Sequence, residues 1–372
     1  MPVQAKLLIR REKRSCPEDS GDQTNSDLVF SNSLITRVLR DKIGTVVPVS
    51  TPLETESSAR VGMGTVHDLL EAKGKQGALA LDLDRAIVDA AAAYLADEDQ
   101  AVGYLFSGWT QAALPHKRLA DDQVWEIRTE RVTLLVEPGR KPNPLPGLPH
   151  INVGVPYGSR ARLIMLYLQT EALKTNSREI ELGRSLRAWF SRLGIAPGGK
   201  SIRDVREQAE RISRCRLSFH LAASGGNPGG LKNQNIVDDA LFLDTHDPDQ
   251  GSLFLEKAKL SESFFEQLKK HPVPIEEAAI RVISNNSMAL DIYCWLSYRL
   301  HVLKAPTPVS WAALKIQFGA GFGKLAHFKH KFLPNLALAQ AVYRDAKVEV
   351  DERGLILRPS RPPVAPRQVA AR

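Results

Sequence analysis

One segment of the 372-residue sequence matches a phosphate-binding motif. Gly194-Ile-Ala-Pro-Gly-Gly-Lys200-Ser201 fits the pattern GxxxxGK[ST], in which backbone N–H groups and a lysine surround the phosphates of a nucleotide. Asp244, after the apolar run Ala240-Leu-Phe-Leu, could supply the Mg²⁺ ligand of such a site. A P-loop must follow a buried strand, however, whereas the preceding Arg184-Ser-Leu-Arg-Ala-Trp-Phe-Ser-Arg-Leu has the spacing of a charged amphipathic helix. The context therefore disfavours a P-loop ATPase, which is kept as an alternative.

Positive charge is concentrated around the same segment. The net charge is +8, but residues 1–150 hold 18 Lys+Arg against 21 Asp+Glu, and residues 151–372 hold 32 against 21. Such a basic region suits a polyanion, although a charge run on a helix can also be no more than a solvated face. Nine basic residues lie within residues 184–216: Arg184, Arg187, Arg192, Lys200, Arg203, Arg206, Arg211, Arg214 and Arg216.

The segment that follows the motif is predicted to be a helix with separate apolar and basic faces. We expect Ser201 to be its N-cap, with Asp204 three residues later. Arg203 and Arg206 lie one turn apart on the outer face, and the arginine fork can bridge guanine O6 and N7, so both are predicted to contact DNA bases. The inner face is formed by Ile202, Val205, Ala209 and Ile212.

The predicted elements around this helix occur twice along the chain. In the first unit an apolar helix over Ser159–Lys174 and a short helix over Ser185–Leu193 precede it. A hairpin should follow, formed by Leu217-Ser-Phe-His-Leu, the glycine-rich residues 224–230 and Ala240-Leu-Phe-Leu. Three helices followed by a β-hairpin is the plan of a winged helix, a helix-turn-helix fold whose third helix enters the major groove.

The second unit repeats this order. An apolar helix over Ser287–Lys304 is followed by a short helix through Phe318 and by a third helix that begins at Gly323–Lys324. Its inner face is predicted to carry Leu325, Phe328, Phe332 and Leu336, and a hairpin follows over residues 347–357. Proline removes a helix donor, so Pro334 should kink or end the third helix. Phosphate contacts are predicted for both units at Arg184, Arg187, Lys200, Ser201, Arg214, Lys324, His327, Lys329 and Lys331.

The fold class predicted for the whole chain is α+β, with two tandem winged-helix domains over residues 151–272 and 273–360. Residues 66–150 should form a small helical region with two short strands, at Val124-Trp-Glu-Ile-Arg and Val132-Thr-Leu-Leu-Val. A proline-rich linker then marks a boundary near residue 150. Residues 1–65 are predicted to be mostly disordered, with a short helix near Leu34–Leu39, and so are residues 361–372.

Other chemistry has little support in the sequence. His327 and His330 have no nearby acidic ligand, and the three cysteines, Cys16, Cys215 and Cys294, are scattered. We expect no metal, no cofactor and no catalytic set, and hence a protein that is not an enzyme. The absence of an apolar run of about 18–20 residues, of a secretory signal and of paired cysteines predicts a cytoplasmic protein with no membrane partner.

Several ordered blocks resemble the RepA-type plasmid replication initiators of Gram-negative bacteria, over about residues 65–363. They are Leu114-Pro-His-Lys-Arg-Leu, Val155-Pro-Tyr-Gly-Ser-Arg-Ala-Arg-Leu-Ile, Ser177-Arg-Glu-Ile-Glu-Leu-Gly-Arg-Ser-Leu, Gly198-Gly-Lys-Ser, Ser287-Met-Ala-Leu-Asp-Ile-Tyr and Pro308-Val-Ser-Trp-Ala-Ala-Leu. The glycine-lysine element of that family falls on Gly199–Lys200, at the start of the first recognition helix, and not in a P-loop.

The resemblance implies an initiator that binds direct repeats of double-stranded DNA at a plasmid origin. It also implies help in opening the duplex and recruitment of the host initiator and helicase machinery, with a possible homodimer. A winged-helix transcriptional repressor, which could act on its own promoter, is an alternative that the sequence does not separate from an initiator.

Overall fold

The computed structural model describes residues 64–129, 132–195, 198–221, 230–242 and 255–365, all within one unit that spans Thr51–Arg372. The helix predicted near Leu34–Leu39 and most of the predicted disordered ends lie outside these residues. Ten α-helices occur in the described ranges: α1 Gly64–Leu79, α2 Arg85–Leu95, α3 Gly158–Thr175, α4 Gly183–Arg192, α5 Gly199–Arg214, α6 Glu262–Lys270, α7 Glu277–Ile283, α8 Ser287–Arg299, α9 Trp311–Phe318 and α10 Leu325–Ala341.

Short strands accompany these helices, so the predicted mixed α+β class is confirmed. No helix of the described ranges is long and apolar enough to cross a membrane. The strands are β1 Val102–Phe106, β2 Trp125–Arg128, β3 Val132–Glu137, β4 Gly139–Lys141, β5 Ile151–Gly154, β6 Glu179–Glu181, β7 Arg216–Leu221, β8 Gly230–Asn235, β9 Val237–Phe242, β10 Leu255–Leu260, β11 Pro272–Glu276, β12 Thr307–Ser310, β13 Val348–Val350 and β14 Gly354–Leu357.

Two segments of the chain share one order of elements. In the first repeat, residues 158–260, α3, β6, α4 and α5 are followed by β9 and β10. In the second repeat, residues 287–357, α8, β12, α9 and α10 are followed by β13 and β14. Each repeat forms an antiparallel sheet in which the last strand lies between the other two, as β6-β10-β9 and β12-β14-β13. The two repeats therefore agree in strand pairing as well as in element order.

The predicted hairpin of the first repeat is wrong in its pairing. β7 pairs with β8, for which no strand is predicted, and Ala240 lies on β9, which pairs with β10. β7 and β8 instead join β2 and β3 in a four-stranded sheet. They are an insertion between α5 and β9 that has no counterpart in the second repeat. The hairpin predicted for the second repeat is confirmed as β13 and β14.

Elements before residue 150 complete sheets with elements after it. β3 pairs with β7, and β1 pairs with β11 along its whole length. The boundary near residue 150 stays a prediction, but a fragment that begins there would lose two strands of the four-stranded sheet and expose a strand edge. Experiments on this protein are therefore best done with the full chain.

The joint between the two repeats is an ion pair largely removed from solvent, with side chains 9% and 12% exposed. Arg162 on α3 donates from Nε and Nη2 to the two carboxylate oxygens of Asp291 on α8, at 2.6 Å each. Its remaining N–H groups bond the backbone carbonyls of Leu114, Pro115 and Gly158 at 2.6, 3.2 and 2.9 Å. A buried pair of this kind holds its elements firmly because the loss of either partner leaves an uncompensated charge.

His116 completes the joint. Its Nε2 lies 3.0 Å from the carbonyl oxygen of Phe318, which can only accept, so Nε2 carries the proton and Nδ1 accepts from the hydroxyl of Ser287 at 3.0 Å. Burial first, and then the nearby Arg162 guanidinium, lower the pKa of His116 to about 4, against an opposing effect of Asp291. The imidazole is therefore neutral in the folded protein.

Because of His116, we expect the folded protein to lose stability in acid. Because the folded pKa of about 4 lies below the ordinary histidine pKa of 6.5, the unfolded chain binds more protons between these values. The contribution is complete above pH 6.5 and is lost as the pH falls toward 4, amounting to about 2 kcal/mol between pH 7.5 and pH 5. Urea unfolding at the two pH values should show a correspondingly smaller pH effect in His116→Asn than in wild type. The surface variant His330→Asn is the control, and an equal pH effect in wild type and His116→Asn would contradict the assignment.

Candidate nucleic-acid interface

Helix α5 presents a basic face at its N-terminal half. Lys200, Arg203 and Arg206 are exposed, one turn apart along the helix, while the apolar side chains at helical spacing between them are buried. The buried set comprises Val205, Ala209 and Ile212. The separation of the two faces follows the sequence prediction, and it places three cations where an approaching polyanion meets them first.

The start of α5 differs from the prediction. The N-cap is Gly198, not Ser201, and no side chain accepts a hydrogen bond from the first turn. Ser201 lies half-buried within that turn, because the helix begins before it, at Gly199. The N–H groups of the first turn are therefore not used by a capping side chain, and they carry the positive end of the helix dipole beside Lys200.

The C-terminal half of α5 is fixed to the rest of the protein through Arg211. Its side chain is 3% exposed, and Nη2 lies 2.8 Å from Asp121 and 2.9 Å from Glu207. Nη1 donates to the carbonyl of Val155 at 3.2 Å, and the guanidinium lies 5.3 Å from the centroid of the Tyr157 ring. Arg211 therefore positions α5 and is not available to a nucleic acid, although the sequence placed it in the basic cluster.

Other members of the basic cluster also serve the fold. Arg192 donates to the buried carboxylate of Glu277 at 3.0 Å, beside Lys174 at 3.3 Å. Arg214, which the sequence predicts to contact a phosphate, is half-buried, with its Nε 3.4 Å from a carboxylate oxygen of Glu210. Its guanidinium is therefore engaged within the protein. Arg187 is exposed on α4, and Arg184 lies on the same helix, with its side chain outside the described set.

In the second repeat, α10 carries the corresponding cations. Lys324 is its N-cap, and Lys324, His327 and Lys331 are exposed. Lys329 is half-buried, with its Nζ 4.8 Å from the centroid of the Trp311 ring, so this predicted phosphate contact makes a cation–π interaction. The basic surface of α10 is thus narrower than the sequence predicted.

The inner face of α10 holds a cluster of aromatic rings. Phe328 and Phe332 are fully buried, with centroids 5.1 Å apart, and Phe332 also lies 5.7 Å from Phe318. Leu325 is exposed and not inward as predicted, because it is the first helical residue. These aromatic contacts fill much of the inner face of the helix, and Leu336 and Ala339 continue it toward the C-terminus.

Pro334 does not end α10, since the helix continues past it to Ala341. Proline leaves the carbonyl four residues earlier, that of His330, without its helical donor. Both Pro334 and His330 lie on the exposed face, where solvent can satisfy that carbonyl. The side chain of Asn335 also donates to the carbonyl of Lys331 at 2.6 Å. The helix therefore does not end at Pro334, because the proline faces outward.

The segment resembling a P-loop does not have the required structural context. Lys200 and Ser201 lie in the first turn of α5, and the preceding described element is helix α4 rather than a buried strand. Asp244, the supposed Mg²⁺ ligand, lies outside the described residues. Within the described ranges no cluster of His, Cys, Asp or Glu could hold a metal ion.

The comparisons with known proteins agree with the sequence resemblance. Residues 155–312 match the family model described as the plasmid encoded RepA protein. The resemblance to RepA-type plasmid replication initiators is thereby confirmed for this central part of the chain. This part contains helices α3 to α8, and among them α5 with its basic face. The match supports plasmid replication initiation as the general process in which the protein acts.

No curated protein matches the sequence. Two crystal structures of domains 2 and 3 of RctB are similar to the chain, at 13% and 12% identity. They cover 68% of this chain and 95% and 94% of their own chains, with TM-scores of 0.45 and 0.40.

Gly154 leaves room for the Arg211 side chain, and Gly147, which has a similar backbone conformation in open space, provides a matched control. Gly154 has φ +79°, and a Cβ there would lie 1.9 Å from Nη1 of Arg211, whereas Gly147, with φ +80°, has nothing within 4 Å of such a Cβ. Both Gly→Ala variants should lose about 1–2 kcal/mol through left-handed backbone strain. Gly154→Ala should lose about 1–3 kcal/mol more, because the buried ion network must move. Urea unfolding of both variants measures this difference, and equal losses would show that the guanidinium does not need the space.

Proposed function

We propose that this protein is a plasmid replication initiator that binds repeated double-stranded DNA sequences at an origin through two winged-helix units. Helices α5 and α10 are the proposed recognition helices, and β9–β10 and β13–β14 are the wings. The proposal extends to help with duplex opening and recruitment of the host initiator and helicase, in the cytoplasm, as a possible homodimer and without catalysis of its own.

The observation that carries this proposal is the basic face of α5 in an element order that occurs twice. A helix, a short strand, two further helices and two strands, with the last strand central in the sheet, is the arrangement expected of a winged helix. In such folds the third helix lies in the major groove, with its N-terminal residues against the bases. Arg203 and Arg206 occupy those positions and suit bidentate contacts to guanine.

Phosphate contacts are proposed for the remaining exposed cations. Lys200 lies beside the uncapped N–H groups of α5, where a DNA phosphate is favoured. Arg187 on α4 and Lys324, His327 and Lys331 on α10 are exposed in the same way. About five such contacts would give log K a slope near −4.5 against log salt.

DNase footprinting of the DNA that flanks the gene for this protein tests the proposal. We expect protected repeats, and we expect Arg203→Ala and Arg206→Ala each to weaken specific binding by about 1–3 kcal/mol and to relax discrimination at individual base pairs. Arg85→Ala on α2, an exposed arginine away from α5, is the matched control and should bind as wild type. A loss in Arg203→Ala that is equal for all DNA sequences would reduce this residue to a phosphate contact.

A repressor built on the same units would give the same footprint. Replication of a plasmid that carries the protected DNA, with and without the protein supplied, separates an initiator from a protein that only represses a promoter. Failure to support replication despite sequence-specific binding would favour the repressor.

A variant of Lys200 distinguishes a DNA-binding initiator or repressor from the ATPase alternative. Lys200→Ala should weaken specific and non-specific DNA binding alike and lower the salt slope by about one, because it removes a single phosphate contact. Wild-type protein should not bind Mg·ATP in equilibrium dialysis. Mg·ATP binding that is abolished in Lys200→Ala, with DNA affinity unchanged, would overturn the assignment of the first repeat.

A further inference from the structure

The tip of the β4–β5 ribbon exposes apolar side chains in a preformed loop. Leu145 and Leu148 are 62% and 53% exposed, more than any other large apolar side chain in the described ranges. Asn143 orders the loop by accepting from the N–H of Leu145 at 3.1 Å and donating to the carbonyl of Pro149 at 3.3 Å. Four prolines within residues 142–149 stiffen the tip further. Two leucines are thus held in solvent by a loop that cannot easily fold them away.

The base of the ribbon is attached to the proposed recognition helix. Lys141 donates to both carboxylate oxygens of Glu210 on α5, at 3.1 and 3.2 Å. Arg214 of α5 donates to the carbonyl of Arg140 at 3.3 Å, and a Cβ at Gly139 would lie 2.2 Å from the carbonyl oxygen of Arg214. The ribbon is therefore held against the C-terminal half of α5.

The charge around the tip identifies the kind of partner that it fits. No acidic residue occurs within residues 138–170, and Arg140 is exposed at the base of the apolar tip, whereas Lys141 beside it is paired with Glu210. A patch of two leucines is too small to support a stable protein interface, which usually buries about 800 Å² on each partner. Apolar wedges beside cations are instead the chemistry by which proteins enter the minor groove and unstack a base step.

We propose that this tip is a second DNA-contacting element, in which Leu145 and Leu148 enter the minor groove next to the major groove occupied by α5 and kink the duplex. This inference rests on the proposed DNA-binding function. The preformed loop avoids the entropy cost of ordering at the moment of binding. The energy that the leucines lose by exposure in the free protein is recovered when they are covered by the bases.

The test compares the full-length wild-type chain with the double variant Leu145→Ser/Leu148→Ser on one duplex that carries the footprinted repeat. Affinity should fall roughly tenfold, which corresponds to about 1.4 kcal/mol. The bend angle, measured by energy transfer between dyes at the two duplex ends, should also fall. The salt slope should not change, because no phosphate contact is removed. The melting temperature should not fall, because both side chains are exposed.

Leu81→Ser is the matched control, since Leu81 is 46% exposed in a turn after α1 and should not affect bending or affinity. Equal bending by wild type and the double variant, or an equal loss in Leu81→Ser, would overturn the inference while leaving the proposed function intact. Loss of self-association in sedimentation, with DNA bending unchanged, would assign the tip to a protein contact and also overturn it. If the wild-type chain binds no DNA, the proposed function fails and this inference with it.

Discussion

The arrangement of the two repeats depends on the burial of Arg162 with Asp291. Removing both charges from water costs several kcal/mol each, and the cost is offset only when every remaining donor and acceptor is satisfied. Arg162 meets that condition by donating to three backbone carbonyls besides the carboxylate. Two of these carbonyls belong to Leu114 and Pro115, so this segment must lie against both α3 and α8. His116 and Ser287 extend the same contact to the end of α9. Three of the blocks that resemble plasmid initiators supply these residues, so separate parts of that resemblance meet at the joint between the repeats.

Charged residues in this protein divide into two groups that the sequence alone does not separate. Glu277 is buried and collects Lys174 and Arg192 from two helices, and Arg211 is buried between two carboxylates. A buried charge of either sign requires such partners, whereas an exposed arginine such as Arg203 requires none. The number of basic residues near α5 is therefore larger than the number that face solvent, because some of them neutralise acidic side chains within the fold.

Periodicity predicted the helices because each of them buries one face. The spacing that placed Val205 and Ile212 inward also placed Arg203 outward, and the structure agrees. Pairing between distant strands has no local signal, so the insertion of β7 and β8 was missed, as was the role of Arg211, whose partner Asp121 lies 90 residues away. Pro334 shows the same limit, because its effect depends on which side of the helix faces solvent.

Both proposed recognition helices bury an apolar face, but they differ in the polar contacts made beside it, and this affects how each responds to change. Helix α10 packs through tilted aromatic rings such as Phe328 and Phe332, whose contacts can adjust when one is trimmed, at the cost of a cavity. Helix α5 rests on a polar network in which Arg211, Asp121 and Glu207 satisfy one another. The loss of one member leaves the others unpaired, and such networks fail as a unit. Arg211 also lowers the pKa of Asp121, together with Arg118 and against the effect of burial. The orientation of α5 therefore depends in part on an ionised carboxylate.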